Sequence, residues 1–143
     1  MILLDTNVVS ETLRPAPDVQ VVRWLNQHTS DSAISAITIL ELRIGIAKLP
    51  AGKRRDTLEA FLERILRRFA PRTLAFDDHA AEASARLFAQ ARKARRSLQH
   101  LPDMFPDLQI AGICLAHGLT LATRNVRDFT GAGIKLVDPW STK

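Results

Sequence analysis

Three acidic side chains, Asp5, Glu41 and Asp107, fall where short apolar runs end or the following helices begin. Asp5 directly follows Ile2-Leu3-Leu4, which reads as a buried strand running into the turn Asp5-Thr6-Asn7. Glu41 lies in the first turn of a helix predicted from Ile39 to Leu49, after a strand over Ala33 to Ile37. Asp107 opens a helix predicted to end at His117, ahead of a strand over Thr120 to Thr123. In an open parallel sheet, ligands bind outside the carboxyl ends of the strands, so residues far apart in sequence can converge there. Clustered carboxylates repel one another and some take up protons, unless a cation lies among them. Mg²⁺ suits such a place: it prefers hard oxygen ligands, keeps several waters, and is commonly held by one or two carboxylates together with phosphate. It can polarise a phosphoryl oxygen and generate hydroxide from water.

Each acid also has a structural reading. Thr38-Ile39-Leu40-Glu41 is a capping box, in which Glu41 bonds back to the Thr38 backbone. An acid in a first helical turn, as Asp107 is predicted to be, is favoured by the helix dipole. Asp5 could close an Asx-turn, but an acid ending a buried strand must be solvated, paired or ligated. Three such acids at one edge favour the metal-site reading over three separate caps.

The elements that must position them follow from periodicity. Val19, Val22 and Leu25 mark a helix over Asp18 to His28 with Asp18 as its N-cap. Leu58, Phe61, Leu62, Ile65, Leu66 and Phe69 follow the i, i+3, i+4, i+7 pattern of one apolar helix face. A strand over Thr73 to Phe76 precedes an Ala-rich helix from Asp77-Asp78 to Arg95, and Ser97 to Pro106 reads as a loop. A last strand covers Ile134 to Val137. Strands with continuous apolar character, separated by helices, imply a mostly parallel α/β sheet covered on both faces.

A chain of 143 residues suits one domain spanning 1–143, and 46% hydrophobic with 24% charged residues argues against wholesale disorder. No apolar run approaches the roughly 18 residues of a membrane span, and an acid at position 5 interrupts any leader-like start, so the expected location is cytoplasmic. The lone Cys114 lies in an apolar stretch and reads as a small buried hydrophobe. A net charge of +5 favours polyanionic partners. Arg54, Arg55, Arg64, Arg67 and Arg68 form one basic cluster and Arg92, Lys93, Arg95 and Arg96 another. Solvated helix faces are the simplest reading of both, with contacts to phosphates or an acidic partner as the other. Trp24, Val21 and the run Ile44 to Leu49 belong to the core or to a partner groove.

Ile2-Leu3-Leu4-Asp5-Thr6-Asn7, Ser35-Ala36-Ile37-Thr38-Ile39-Leu40-Glu41-Leu42, Asp107-Leu108-Gln109-Ile110-Ala111 and Leu121-Ala122-Thr123-Arg124-Asn125 together resemble the PIN-domain family. The likeness is to its VapC-type toxins, in the FitB-like subgroup, and covers nearly the whole chain. It implies a three-layer α/β/α domain and an Mg²⁺-dependent endoribonuclease, with Mn²⁺ as a substitute. It further implies a homodimer held inactive by a VapB-like antitoxin in a larger toxin–antitoxin complex that meets DNA only through the antitoxin, with no membrane partner. By the same resemblance Asp5 and Asp107 are metal ligands, Glu41 completes the acidic site, and Thr6 and Ser35 are supporting donors or caps.

Two features depart from the family pattern. Where many members carry a fourth acid this chain has Asn125, which can hydrogen-bond a metal-bound water but adds no charge. Asp128 could substitute for it or simply cap a turn. The approach to Asp107, from His100 to Pro106, is longer than usual and contains Asp103; Pro106 suits a first helical position, which places Asp107 in the helix and Asp103 in the loop. Two other functions compete with this reading. A PIN-like binding module acting in a DNA-bound complex would need no metal at Asp5 and Asp107. Phosphotransfer through Asp5 as a nucleophile is disfavoured, because Asp5-Thr6-Asn7 lacks a second acid two residues on.

Overall fold

A central strand, β1 (Ile2–Leu4), is flanked on one side by β2 (Ser32–Ser35) and β3 (Thr73–Leu74) and on the other by β4 (Thr120–Ala122) and β5 (Lys135–Val137). The computed structural model describes residues 1–93 and 101–141. Every pairing in the order β3-β2-β1-β4-β5 is parallel, with Leu3 opposite both Ala33 and Leu121. Parallel neighbours need crossovers, and helices supply them. α1 (Thr6–Glu11) and α2 (Val19–His28) join β1 to β2, while α3 (Ala36–Ala47) and α4 (Lys53–Phe69) join β2 to β3. α5 (Asp78–Lys93) and α6 (Leu101–His117) carry the chain from β3 across to β4, and α7 (Val126–Phe129) leads to β5.

Side chains alternate across each strand, so adjacent residues feed two cores. Leu3, Ala33 and Leu121 face one core with Ile110, Ile113 and Cys114 of α6. Leu4, Ile34 and Ala122 face the other with Val8, Val21, Trp24 and Leu62. Each fully buried Leu or Ile contributes roughly 1.5–3 kcal/mol by leaving water. The result is the expected three-layer α/β/α arrangement, with α1 to α4 over one face and α5 to α7 over the other. Burial pushes the Cys114 thiol up to about 12, consistent with an inert apolar neighbour. Trp24 belongs to the core, its ring 4.6 Å from that of His28. No helix among the described residues is long and apolar enough to cross a membrane.

Several boundaries differ from expectation. The turn at Asp5-Thr6-Asn7 is the start of α1, whose six residues are too few to show a helical period. β2 stops at Ser35, not Ile37, because the Ser35 hydroxyl accepts from the Thr38 backbone N–H at 3.1 Å and caps α3. Asp107 does not open its helix: α6 begins at Leu101, and Pro106 lies inside it rather than at the first position. Asp103 is therefore in a helix and not a loop, and the predicted loop survives in no part of 101–106. Its earlier part, Ser97 to His100, lies outside the described residues, as do the end of the Ala-rich helix at Arg95 and Arg96.

α5 and α6 meet at a glycine. A Cβ on Gly112 would stand 2.0 Å from Ser84 Oγ and 2.5 Å from the Ala80 carbonyl, so only glycine permits this approach. The Ser84 hydroxyl lies 2.8 Å from the Ala80 carbonyl and 2.9 Å from that of Leu108, tying the two helices beside Asp107.

Candidate active site at the carboxyl edge of the sheet

The chain leaves β1 toward β2 and β3, then crosses back to β4 on the other side, so the strand order reverses between β1 and β4. Such a switch point opens a crevice at the carboxyl edge. Asp5 and Thr123 are the first residues past β1 and β4, and they are bonded across it: Thr123 Oγ1 donates to Asp5 Oδ2 at 2.7 Å. Asn7 Nδ2 donates to the same oxygen at 2.8 Å, and the Thr6 backbone N–H donates to Oδ1 at 2.8 Å. Asp5 is only 4% exposed yet fully supplied with donors. Burial raises its pKa despite the bonds from Thr123 and Thr6, and the Glu41 charge adds to the rise.

Glu41 reaches this place by a route other than the capping box. Because Ser35 caps α3, Thr38 sits inside the first turn with its own hydroxyl buried against Ser35 and the Leu4 carbonyl. Glu41 is one turn further along, where its Oε2 accepts from the Thr6 hydroxyl. Thr6 thus links the residue after Asp5 to the second acid. Ser35 is a cap.

Asp107 arrives from α6, which descends toward the start of β4 and so has its earlier turns near the carboxyl edge. It is half-buried, and its carboxyl is pushed up to about 7, first by burial and then by the charges of Asp5, Asp128 and Glu41. Asp5, Asp128 and Glu41 therefore all lie near enough for their charges to reach Asp107. Asp128 is in the first turn of α7 and exposed. Asn125 stands at the N-cap position of α7, where its side chain makes no capping bond, while its backbone N–H donates to Thr123 Oγ1 at 3.0 Å.

Among the described residues, no three His, Cys, Asp or Glu side chains already converge in ligating geometry. The donor set nevertheless suits a hard divalent cation. Burial first, and then the charges of Asp5, Asp128 and Glu41, push the Asp107 carboxyl up to about 7, and Mg²⁺ needs only one or two carboxylates with water completing the shell.

Thr123 and Asn7 were not singled out by sequence reasoning. Hydroxyl and amide side chains at strand ends serve equally in turns, so nothing in their type marks them as supports of Asp5. Their signal is positional: Thr123 immediately follows β4, and Asn7 lies three residues past the end of β1, both at the switch point.

An all-parallel five-stranded sheet with an acidic crevice at its switch point defines a class of α/β proteins that gather carboxylates from separate elements. The sequence pattern of the PIN domain matches residues 2–133, and the chain belongs to that family. It is 42% identical over 142 residues to plasmid stability protein StbB of Pseudomonas syringae pv. tomato, covering 98% of this chain and 99% of that one. It is 39% identical over 142 residues to VapC ribonuclease Y4jK of Sinorhizobium fredii, covering 98% of each. Its fold matches that of FitAcB from Neisseria gonorrhoeae with a TM-score of 0.88 at 40% identity, covering 99% of this chain and 100% of that one. A structure of FitAB bound to an IR36 DNA fragment matches equally, with a TM-score of 0.88 at 38% identity over 100% of this chain and 98% of that one.

Proposed function

We propose that this protein is the toxin of a VapBC-type toxin–antitoxin pair and cleaves RNA phosphodiesters with a divalent cation, Mg²⁺ or Mn²⁺. What supports the reading is the acidic edge at the switch point, where Asp107 lies near enough to Asp5 and Glu41 for their charges, after burial, to raise its pKa. The ribonuclease named among its relatives supports the same chemistry. Asp5 and Asp107 would hold the ion, with Asn125 able to reach it through water. A bound divalent cation supplies positive charge for a phosphoryl oxygen and lowers the pKa of water at the site. Glu41, whose Oε2 accepts from the Thr6 hydroxyl, would take the proton from the attacking water. Thr123 and Asn7 hold the Asp5 carboxylate in one orientation.

The partner is an antitoxin. An apolar groove of about 210 Å³ runs between α1, α2 and α4, lined by Val9, Val22, Leu25, Phe61 and Ile65 with Arg68 at its side. It suits the apolar face of an antitoxin segment carrying acidic residues. The alternative is a PIN-like binding module acting mainly in a DNA-bound complex with its antitoxin, which the DNA-bound FitAB relative favours. Mapping of new RNA ends after induced expression, wild type beside Asp5→Asn, separates the two. The proposal requires discrete new ends with wild type only; identical RNA in both cultures contradicts it.

A further inference from the structure

A basic and aromatic pair borders the acidic crevice, and neither residue is used by the site described above. Arg124 follows Thr123 at the end of β4, and its guanidinium lies over the Trp140 ring, 5.3 Å from the centroid. The Arg124 backbone N–H donates to Asn7 Oδ1 at 3.3 Å, and Asn7 is itself a donor to Asp5. Arg124 is thus joined by two hydrogen bonds to the most buried acid. Trp140 is placed from the neighbouring strand. The Thr123 N–H donates to the Val137 carbonyl at 2.9 Å, the last residue of β5, and Asp138 Oδ1 accepts from the Trp140 N–H at 3.0 Å. Asp138 also accepts from the Ser141 hydroxyl at 2.8 Å, and Pro139 is buried, so this turn is fixed on both sides.

The charges around this pair give it a purpose. A polyanion approaching the crevice meets an acidic edge with Asp128 exposed beside Asp107, and a cation there offsets that charge. Arg124 is exposed and makes no ion pair with a carboxylate among the described residues. Two of the α4 arginines are engaged on their own helix: Arg55 pairs with Glu59 and Arg64 lies over Phe61. Trp140 is half-buried against the core, which fixes the ring beneath the guanidinium, and an arginine over an aromatic ring is chemistry by which proteins hold single-stranded nucleic acid.

We infer that Arg124 and Trp140 form a positioning platform for single-stranded RNA, Arg124 taking a phosphate next to the scissile one and Trp140 stacking on an adjoining base. The inference rests on the ribonuclease reading but makes its own demand. Arg124 is a positioning residue, so its loss should act on substrate binding more than on the bond-breaking step.

The test uses the full-length chain freed of antitoxin, with Arg124→Gln, Arg124→Lys and Trp140→Phe, and Arg68→Gln on α4 as a charge-matched control. Cleavage of single-stranded RNA in Mg²⁺ should show KM raised about tenfold in Arg124→Gln with kcat within about twofold. Arg124→Lys should recover part of the loss, because it restores charge but not the planar guanidinium fork. Binding is read separately in an Asp107→Asn background, where RNA stays intact, by quenching of tryptophan fluorescence. The quench should vanish in Trp140→Phe, since Trp24 is buried in the core, and the salt dependence of binding should flatten by about 0.7 in slope in Arg124→Gln. Equal losses in Arg124→Gln and Arg68→Gln would show diffuse charge and overturn the inference, as would unchanged RNA binding with weakened antitoxin binding. If wild type cuts no RNA yet the Asp107→Asn protein binds RNA through Arg124, the platform stands and the ribonuclease reading fails.

Discussion

Three donors converge on Asp5 in a place almost closed to water and oppose the burial that raises its pKa, two of them the single hydrogen bonds of Thr123 and Asn7. Replacing Thr123 with Val removes the 2.7 Å bond and also strands the Asn125 N–H that this hydroxyl accepts. Groups that orient a metal-binding carboxylate typically matter by 10–100-fold, so kcat/KM should fall by at least about tenfold and metal affinity should fall with it. Asp107 gives the pH dependence. Its folded pKa of about 7 lies above the ordinary 3.8, so the native metal-free state binds more protons than the unfolded chain between those values. Native stability from this group is therefore full below about pH 4 and is lost as pH rises through 7. The thermal midpoint of the metal-free protein should include a decline across pH 5 to 8 that Asp107→Asn abolishes. Because cation and proton compete for the same oxygens, apparent Mn²⁺ affinity should rise across this range. A flat affinity would contradict the assignment. Asp5 was legible from sequence since an acid ending a buried strand has few ordinary explanations. Glu41 was legible as a residue but not as a geometry: Ser35 and Thr38 are both good N-caps, and local pattern does not choose between them.

At the scale of elements, the same ambiguity moved two boundaries. Pro106 fits a helix start, yet α6 begins at Leu101 and accepts the proline inside, forgoing one i→i−4 hydrogen bond. Tertiary packing decides this, because α6 is clamped to α5 through Ser84 and the close approach at Gly112. Gly112→Ala would force the Ala80 carbonyl and the new methyl apart, costing about 1–3 kcal/mol and tilting the helix that carries Asp107. Thermal denaturation should show the lower midpoint, with activity reduced beyond the loss of folded protein. Adding Ser84→Ala should restore only part, since the Ala80 carbonyl clash remains. Full restoration, or no loss in the single variant, would contradict the packing account. The helices α1 and α7 escaped sequence reading for a simpler reason: six and four residues are too few for a period to emerge.

Across the whole molecule, the parallel α/β class followed from apolar strands alternating with helices, but the order β3-β2-β1-β4-β5 did not, because crossover lengths permit several orders. That order is what brings Asp5 and Thr123 together. It also separates two surfaces: the acidic crevice at the carboxyl edge, and the apolar groove between α1, α2 and α4. Val22 lines that groove without belonging to the buried core, so Val22→Glu should leave the protein folded and active on RNA. Co-expression with its antitoxin should then fail to neutralise it, with affinity reduced about a hundredfold or more by a buried unpaired charge. Full neutralisation of Val22→Glu would place the antitoxin elsewhere.

The central claim is that the acids at the switch point act through a bound divalent cation on RNA. It is tested most directly by following single-stranded RNA cleavage by the purified, antitoxin-free protein across an Mg²⁺ titration, wild type beside Asp5→Asn. The account predicts no cleavage in chelator, a saturable rise with Mg²⁺ for wild type, and a loss of at least about a hundredfold in Asp5→Asn that added Mg²⁺ does not recover. Cleavage that persists in chelator, or an Asp5→Asn protein as active as wild type, would contradict it.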